Sequence, residues 1–257
     1  MLHTPPPSPP QSHIHFVRHG LSEANLSNKV NLHTADHAVP LAPEGHDQAY
    51  KAGKILANSI LERDYPYTKV LMLVSPYKRT QQTAIALKKA LYEAGFEPTW
   101  RECLQLREQS FGLFDGLDAE QLQEIYPRQY ELYQKHKEFE GEFFAPMPMG
   151  ESRARVCDRV RSVFGSMMRD FAGAGGIPAT DIICVSHGVT IRCAIMEFLH
   201  WSWDWCEKEP NPANCAIKTI SGAENRGWKL SETFSGFPHP RDHDHEVQEI
   251  REHGHVA

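Results

Sequence analysis

Three short apolar runs in the sequence each end in polar or cationic residues. The runs cover residues 14–17, 70–74 and 181–185. Arg18 and His19 follow the first run, Arg79 lies beyond the second, and the third is followed by His187. A neutral imidazole can act as a nucleophile. The planar guanidinium group of an arginine can donate two parallel hydrogen bonds to two oxygens of a phosphoryl group. These residue types would suit a pocket for a dianionic phosphoryl group.

The elements around these clusters predict how they are brought together. The three apolar runs are typical of strands buried on both faces of a sheet. Apolar stripes with helical spacing separate them, one over Ala84, Leu87 and Leu91 and another from Val156 to Phe171. This alternation predicts a three-layer α/β/α sandwich around a mostly parallel sheet. Ligands of such sheets bind beyond the carboxyl ends of the strands, so the three clusters should share one edge.

Each cluster has an ordinary structural explanation when it is considered alone. A single histidine at a strand end is more often a hydrogen-bonded core or surface residue than a catalytic one. A single arginine at the start of a helix is more often a solvated charge. The coincidence of three such strand ends favours a binding site, because a purely structural role gives no reason to place them together.

Glu108 offers a proton donor for such a site. It lies in the segment LREQSFGLFDG, residues 106–116, which reads as a loop interrupted by glycines. A protonated carboxyl group near a phosphate ester can donate to the leaving oxygen. The alternative is a loop acid that only caps a turn, and without the other residues that alternative would be preferred.

The composition argues against several classes of protein. The 257 residues are 40% apolar and 23% charged with a formal net charge of -6, which is typical of a globular chain and does not suggest nucleic-acid binding. No apolar run approaches the roughly 18 residues of a membrane span. The six cysteines are scattered and form no CxxC pair. We therefore expect reduced thiols, no zinc site and a cytoplasmic location.

The two ends of the chain differ in composition from its middle. Residues 1–13 are proline-rich, and proline lacks the backbone donor that helices and sheets need, so we expect a disordered leader. Residues 236–257 form a polar, histidine-rich tail, and scattered histidines do not preorganise metal ligands. One domain is therefore predicted over residues 14–235, and we expect a monomer or a homodimer.

The motifs of the chain, taken in order, resemble those of a known family. They are VRHGLSEAN, PLAPEGHDQA, SPYKRTQQTA, REQSFGLFDG, GES and VSHG. Together they resemble the phosphoglycerate mutase-like branch of the histidine phosphatase superfamily, over residues 14–221. Within that branch, the segments ADHAVPLAPEGHDQA, REQSFG and NPANC are similar to those of broad-range acid phosphatases of the fungal type. The resemblance implies a phosphoglycerate mutase-like fold.

The resemblance also implies a role for each residue of the predicted site. His19 would be the nucleophile and become a phosphohistidine, while Glu108 would be the general acid for the leaving group and then the base for water. A set of polar and cationic side chains would hold the phosphoryl oxygens, namely Arg18, Ser22, Asn25, Arg79 and His187. The expected reaction is hydrolysis of a small-molecule phosphate ester, with no metal and no cofactor. Neighbouring guanidinium groups disfavour protonation of an imidazole, which keeps such a nucleophile neutral.

Two alternative functions stay open. A phosphoglycerate mutase must hold a second anionic group, but the segment EFEGEFFAPMPM before Gly150 is acidic and apolar, which counts against a mutase and a fructose-2,6-bisphosphatase. A catalytically silent phosphate-binding protein could use Trp201, Trp203 and Trp205 as a surface, although we expect them to pack a helix onto the core. A lid over residues 119–149 is expected to set the substrate specificity.

Overall fold

One sheet of six strands lies at the centre of the described part of the molecule. The computed structural model describes residues 11–63, 68–174, 176–223 and 226–238. The strands are β1 (Ser12–Arg18), β2 (Val70–Val74), β3 (Thr99–Glu102), β4 (Asp181–Ser186), β5 (Ile217–Ala223) and β6 (Gly227–Phe234). Their spatial order is β3-β2-β4-β1-β5-β6. The first four of these pair in parallel, whereas β5 pairs antiparallel with both β1 and β6.

Helices cover both faces of this sheet. Within the described ranges they are α1 (Glu23–Leu26), α2 (Pro43–Leu61), α3 (Lys78–Glu93), α4 (Ala119–Ile125), α5 (Pro127–Glu140), α6 (Arg153–Phe171), α7 (Gly188–Leu199) and α8 (Trp203–Lys208). Side chains alternate along β1, so that Ile14 and Phe16 pack with α6 and α7 while Val17 packs with α2 and α3. The predicted three-layer sandwich with a mostly parallel sheet is therefore confirmed.

The long helices begin where the sequence offers start signals. Pro43 opens α2 and Pro127 opens α5, positions at which the missing N–H of proline costs nothing. The Ser152 hydroxyl caps α6 by accepting a hydrogen bond from the N–H of Arg155. Helix α6 then buries the predicted stripe through Val156, Val160, Val163 and Met167 against the sheet.

The ordered domain is slightly longer than the predicted range. Strand β1 begins at Ser12, before the predicted start of the domain at residue 14. At the other end, the N–H of Phe237 donates to the Asn214 carbonyl oxygen over 2.8 Å, so the chain still contacts the domain beyond residue 235. Residues 1–10 of the predicted leader and residues 239–257 of the predicted tail lie outside the described residues.

The predicted lid has a small hydrophobic cluster of its own. Phe114, Leu122, Tyr133 and Ala145 are buried together there, and they come from α4, α5 and the loops on either side. This cluster is distinct from the two large clusters on the faces of the sheet. Most of residues 119–149 therefore pack around this small cluster together with Phe114, while Phe143 joins the core on one face of the sheet.

Three further expectations can be compared with the structure. All six cysteines are free thiols, and none of the described helices has the length and apolar character needed to cross a membrane. The expectation for the tryptophans was only partly right. Trp205 packs against the core, but Trp201, just before the short helix α8, and Trp203, its first residue, are 39% and 44% exposed.

Candidate active site

Three neighbouring strands bring His19, Ser75 and His187 to one edge of the sheet. Each residue directly follows its strand, and β1 and β2 both pair in parallel with β4. The N–H of His19 donates to the Ser186 carbonyl oxygen and that of Ser75 to the Val185 carbonyl oxygen, each over 3.0 Å. The imidazole rings of His19 and His187 lie 5.3 Å apart between centroids. The strand ends therefore converge as the alternation of elements predicts.

The His19 ring is fixed in one tautomer. Its Nδ1 lies 2.8 Å from the carbonyl oxygen of Gly20. A carbonyl oxygen can only accept, so Nδ1 carries the hydrogen and Nε2 keeps its lone pair. Burial lowers the pKa of His19 well below its usual value, and the nearby guanidinium groups of Arg79 and Arg18 lower it further. The ring is therefore a neutral imidazole with an available nucleophilic nitrogen.

The turn that carries His19 is clamped between two helices. A Cβ atom at Gly20 would lie 2.5 Å from the carbonyl oxygen of Gly45 in α2, so only glycine allows this close approach. From the other side, the N–H of Gly20 donates to the hydroxyl of Thr83 in α3 over 3.0 Å. These contacts hold the imidazole in place on a rigid part of the fold.

Two buried arginines flank the histidine pair. Arg18 donates from Nη1 to the Pro212 carbonyl oxygen over 2.6 Å. Arg79 donates from Nη1 to the carbonyl oxygen of Asp36 over 2.6 Å and to its carboxylate over 2.7 Å. The Arg79 guanidinium also lies 4.9 Å from the centre of the Tyr77 ring. Each guanidinium group is thus held through its Nη1 nitrogen, which fixes the orientation of the guanidinium plane.

Ser22 and Asn25 form a capping box on the short helix α1. The Ser22 hydroxyl donates to Oδ1 of Asn25 over 2.9 Å and accepts from the Asn25 N–H. Oδ1 of Asn25 also accepts from the Ser22 N–H and from the side-chain amide of Asn214. Because Oδ1 is occupied, Nδ2 is the part of the Asn25 amide that can serve a ligand. The Ser22 hydroxyl uses its proton in the cap, so in this structure it orients Asn25, and its expected contact with a phosphoryl oxygen stays a prediction.

His187 keeps one ring nitrogen for a ligand. Its Nε2 is 2.8 Å from the Ser75 hydroxyl, whereas its buried Nδ1 has no hydrogen-bond partner in the described part of the chain. The Tyr77 ring packs edge-on against the imidazole at 5.0 Å. Burial lowers the pKa of His187 well below its usual value, with a further contribution from the Arg79 charge. A second neutral imidazole therefore lies beside His19.

Glu108 reaches the same region from a different segment. Its Oε1 accepts hydrogen bonds from the backbone N–H groups of Gln109, at 2.9 Å, and Thr190, at 3.3 Å. The Thr190 hydroxyl lies 3.1 Å from the same oxygen and 2.7 Å from the Arg107 carbonyl oxygen. Thr190 belongs to the first turn of α7, directly after His187, so this helix connects the carboxyl group to the histidine pair.

An ion-pair cluster fixes the backbone on either side of Glu108. Glu151, from the GES motif, accepts hydrogen bonds from Arg159 and from the N–H of Ser110. Arg159 in turn donates to the carbonyl oxygens of Gln105, at 2.5 Å, and Glu108, at 3.0 Å. The loop that carries the carboxyl group is thus tied to α6 at two carbonyl oxygens and to Glu151, just before α6, through the N–H of Ser110.

The charge of this site suits an anion and not a metal cation. Among the described residues there is no group of three or more histidine, cysteine or carboxylate side chains placed to bind a metal ion. Beside the neutral ring of His19 lie the neutral ring of His187 and the guanidinium groups of Arg18 and Arg79, of which Arg79 is paired with the Asp36 carboxylate. Such a set attracts the oxygens of a phosphoryl group.

Comparison with known proteins agrees with this geometry. The sequence profile of the histidine phosphatase superfamily (branch 1) matches residues 14–234. The chain belongs to the histidine phosphatase superfamily. This superfamily member is 32% identical over 223 residues to the phosphoglycerate mutase-like protein AT74 of Arabidopsis thaliana, with 85% of this chain and 67% of that protein aligned.

A more distant relative and a solved structure complete the comparison. The broad-range acid phosphatase DET1 of Saccharomyces cerevisiae is 22% identical over 291 residues, which covers 80% of this chain and 84% of that protein. A mycobacterial glucosyl-3-phosphoglycerate phosphatase superposes with a TM-score of 0.64 at 19% identity, covering 88% of this chain and 100% of that one. The structural likeness establishes the histidine phosphatase fold.

Several residues of this histidine phosphatase site were missed in the sequence. Ser75 lies in the SPYKRT motif and Glu151 in the GES motif, so both could have been identified as partners of His187 and of the Glu108 loop. Thr190 and Asp36 carry no comparable signal. Their contacts depend on the rotation of α7 and on a one-turn 3₁₀ helix, Asp36–Ala38, which spacing alone does not reveal.

Proposed function

We propose that the protein is a metal-independent phosphomonoesterase that works through a phosphohistidine on His19. The observation that carries the proposal is the state of the His19 ring. Its Nδ1–H is committed to the Gly20 carbonyl oxygen, its Nε2 keeps a lone pair, and its pKa is lowered by burial and by two guanidinium groups. A structural histidine gains nothing from an unused nitrogen beside two buried cations, whereas a nucleophile for phosphorus requires it.

In the first step Nε2 of His19 attacks the phosphorus of the ester. A phosphorus–nitrogen bond forms, the bond to the ester oxygen breaks, and Glu108 gives its proton to the leaving oxygen. The guanidinium groups of Arg18 and Arg79 and the Nδ2 of Asn25 would hold the phosphoryl oxygens as charge develops on them. Donors that are already fixed need no reorganisation during the reaction, so they stabilise the transition state strongly.

His187 would act as a neutral donor to the same phosphoryl group. If the Ser75 hydroxyl donates to Nε2 of His187, Nδ1 carries the hydrogen and can donate to a phosphoryl oxygen. Nδ1 is the nitrogen that has no hydrogen-bond partner within the described ranges. Ser75 therefore selects the tautomer that a phosphate ligand needs.

In the second step water releases the phosphoryl group. Glu108, now a carboxylate, takes a proton from the water, the phosphorus–nitrogen bond breaks, and inorganic phosphate and free His19 are formed. The same carboxyl group thus serves both steps, and the bonds to Gln109 and Thr190 keep it in place between them.

Activity at mildly acidic pH follows from the environment of His19. Its pKa lies well below 6.5 in the folded protein, so the ring stays neutral as the pH falls below 6.5. The neutral nucleophile is lost only when the pH falls through that lowered pKa. This supports an acid phosphatase, the activity for which the yeast relative is named.

The charges near the GES motif favour a substrate with a single phosphate. Arg153 and Lys137 both bind Glu142, at 2.8 Å and 2.7 Å, and Arg107 binds Glu151 at 2.7 Å. Cations that are already paired are less available for a second anionic group of the substrate.

The names of the plant relatives favour a phosphoglycerate mutase as the second candidate. A cytoplasmic location is also proposed, since all six cysteines are free thiols.

The test is hydrolysis of p-nitrophenyl phosphate by the wild type and His19→Ala, with EDTA, across pH 4–8. We expect turnover in the wild type that falls by several orders of magnitude in the variant. Wild-type turnover that His19→Ala retains would overturn the proposal. A mutase would instead convert 3-phosphoglycerate faster than it hydrolyses any ester when 2,3-bisphosphoglycerate is present.

A further inference from the structure

We propose that Thr190 is a positioning residue that holds the carboxyl group of Glu108 with its transferable proton on Oε2. The inference rests on the proposed role of Glu108 as general acid. Thr190 does not touch the phosphoryl group in this account, since it acts through the carboxyl group. Its contribution is to decide which of the two carboxyl oxygens can deliver a proton.

The hydroxyl of Thr190 is shared between two acceptors. It lies 2.7 Å from the carbonyl oxygen of Arg107 and 3.1 Å from Oε1 of Glu108. A hydroxyl has one hydrogen, so Thr190 shares it in a three-centre bond, with the shorter contact to the Arg107 carbonyl oxygen and the longer one to Oε1 of Glu108. Thr190 is fully buried, so solvent does not compete for this hydroxyl.

Counting donors then assigns the proton of the carboxyl group. Oε1 receives the N–H of Gln109, the N–H of Thr190 and the Thr190 hydroxyl, at 2.9, 3.3 and 3.1 Å. The two N–H groups already use the two lone pairs of Oε1, and the shared hydroxyl hydrogen adds a weaker third contact, so Oε1 keeps no lone pair for a hydrogen of its own. When Glu108 is protonated, the hydrogen must therefore be on Oε2, and no hydrogen bond from the described residues occupies that oxygen.

The position of Thr190 in the fold couples the acid to the phosphate site. His187 is the N-cap residue of α7, and Thr190 follows in the first turn of the same helix. The turn of helix that presents His187 to the phosphoryl group therefore also presents two donors to Glu108. A carboxyl group that lost them could rotate and exchange its two oxygens, and a misplaced proton donor loses roughly a hundredfold in rate.

The experiment compares kcat/KM for p-nitrophenyl phosphate and for glycerol 2-phosphate in four variants. Thr190→Val removes the hydroxyl and keeps the shape, whereas Thr190→Ser keeps the hydroxyl. Thr219→Val is a matched control, because Thr219 is a buried threonine of β5 that binds His15 in the middle of β1, away from the phosphate site. Glu108→Gln provides the reference for complete loss of the acid.

We expect Thr190→Val to lose about ten- to a hundredfold on glycerol 2-phosphate, whose alkoxide leaves poorly, and less than about threefold on p-nitrophenyl phosphate. Thr190→Ser and Thr219→Val should stay within about twofold of the wild type on both esters. If Thr190→Val does not fold, Thr190→Ala provides the same test, because it also lacks the hydroxyl.

Two outcomes separate this inference from the proposed function. If Glu108→Gln shows the leaving-group dependence and Thr190→Val affects both esters equally or neither, the role of Thr190 is wrong while the general acid stands. If Glu108→Gln itself affects both esters equally, the general acid is misassigned, and the role of Thr190 falls with it.

Discussion

The two ends of the central strands each hold a buried pair of histidines, and the pairs differ in their surroundings. At the amino end, His13 and His15 stack at 6.0 Å between centroids. There the ring of His15 is bound to the carboxylate of Asp181 at 2.8 Å, and Arg63 binds the same carboxylate at 2.7 Å. At the carboxyl end, no described carboxylate forms a hydrogen bond with either histidine ring.

Burial alone therefore does not make a histidine catalytic. It lowers the pKa of His13 and of His15, just as it lowers those of His19 and His187. At the amino end the cation is balanced by a buried carboxylate, so the region is internally neutral and closed. At the carboxyl end the Asp36 carboxylate pairs with Arg79, but the two histidine rings are neutral and have guanidinium groups beside them, so a dianionic ligand can bind between the rings and the cations.

The largest difference between the ends should come from removing one arginine at each. We expect Arg79→Met to lower kcat/KM for p-nitrophenyl phosphate by about a hundred- to a thousandfold, as for loss of a preorganised donor. The acid limb of its pH profile should also move to higher pH, because a cation that lowers the pKa of His19 is gone. Arg63→Met should lower Tm and leave kcat/KM unchanged, because the buried Asp181 carboxylate loses its arginine partner. Equal loss of activity in both variants would contradict the comparison.

A smaller effect is expected from the two serines that bind histidine nitrogens. Ser75→Ala removes the partner of Nε2 in His187, so the tautomer is no longer fixed, and we expect kcat/KM to fall about tenfold. Ser221→Ala removes the matching bond to Nδ1 of His13, which is 3.0 Å long. Its kcat/KM should stay at the wild-type value. Steady-state assays at pH 6 on both variants make the comparison, and unchanged activity in Ser75→Ala would rule out the tautomer argument.

The smallest effect concerns stability and arises at the amino end. Burial and the charge of Arg63 lower the pKa of His13 to about 4. The unfolded chain takes up this proton near pH 6.5, so the group destabilises the fold progressively as the pH falls from 6.5 to about 4. In His13→Gln the drop in Tm between pH 7 and pH 5 should shrink by a few degrees, as calorimetry can measure. It should not vanish, because the other buried histidines act in the same direction. A drop as large as in the wild type would show that His13 is not involved.

The sequence predicts the middle of the sheet better than its edges. Strands β2 and β4 are continuous apolar runs because helices cover both of their faces. The edge strands β3 and β6 are largely exposed, β5 combines buried with half-buried residues, and all three strands mix polar with apolar residues. They were not predicted, because short polar strands depend on their neighbours for stability.

The site divides in the same way. His19, His187 and Arg79 could be predicted, because they follow strand ends that the topology brings together. The roles of Ser22, Ser75 and Thr190 could not, because they depend on which atom of a side chain points at which neighbour. Ser22 shows the difference most clearly, since the family resemblance implied a contact with phosphate and nothing in the sequence indicated that its hydroxyl also caps helix α1.

The most direct test of the account is to trap the phosphorylated enzyme. Glu108→Gln would be mixed with p-nitrophenyl phosphate, quenched within seconds in neutral denaturant, digested and analysed by mass spectrometry. The nitrophenolate leaves without help from an acid, and the second step lacks its base, so a phosphoryl group should accumulate on His19 and be absent from the control His19→Ala. A phosphoryl group on any other residue, or turnover of the ester with no phosphoenzyme at any time, would contradict His19 as the nucleophile.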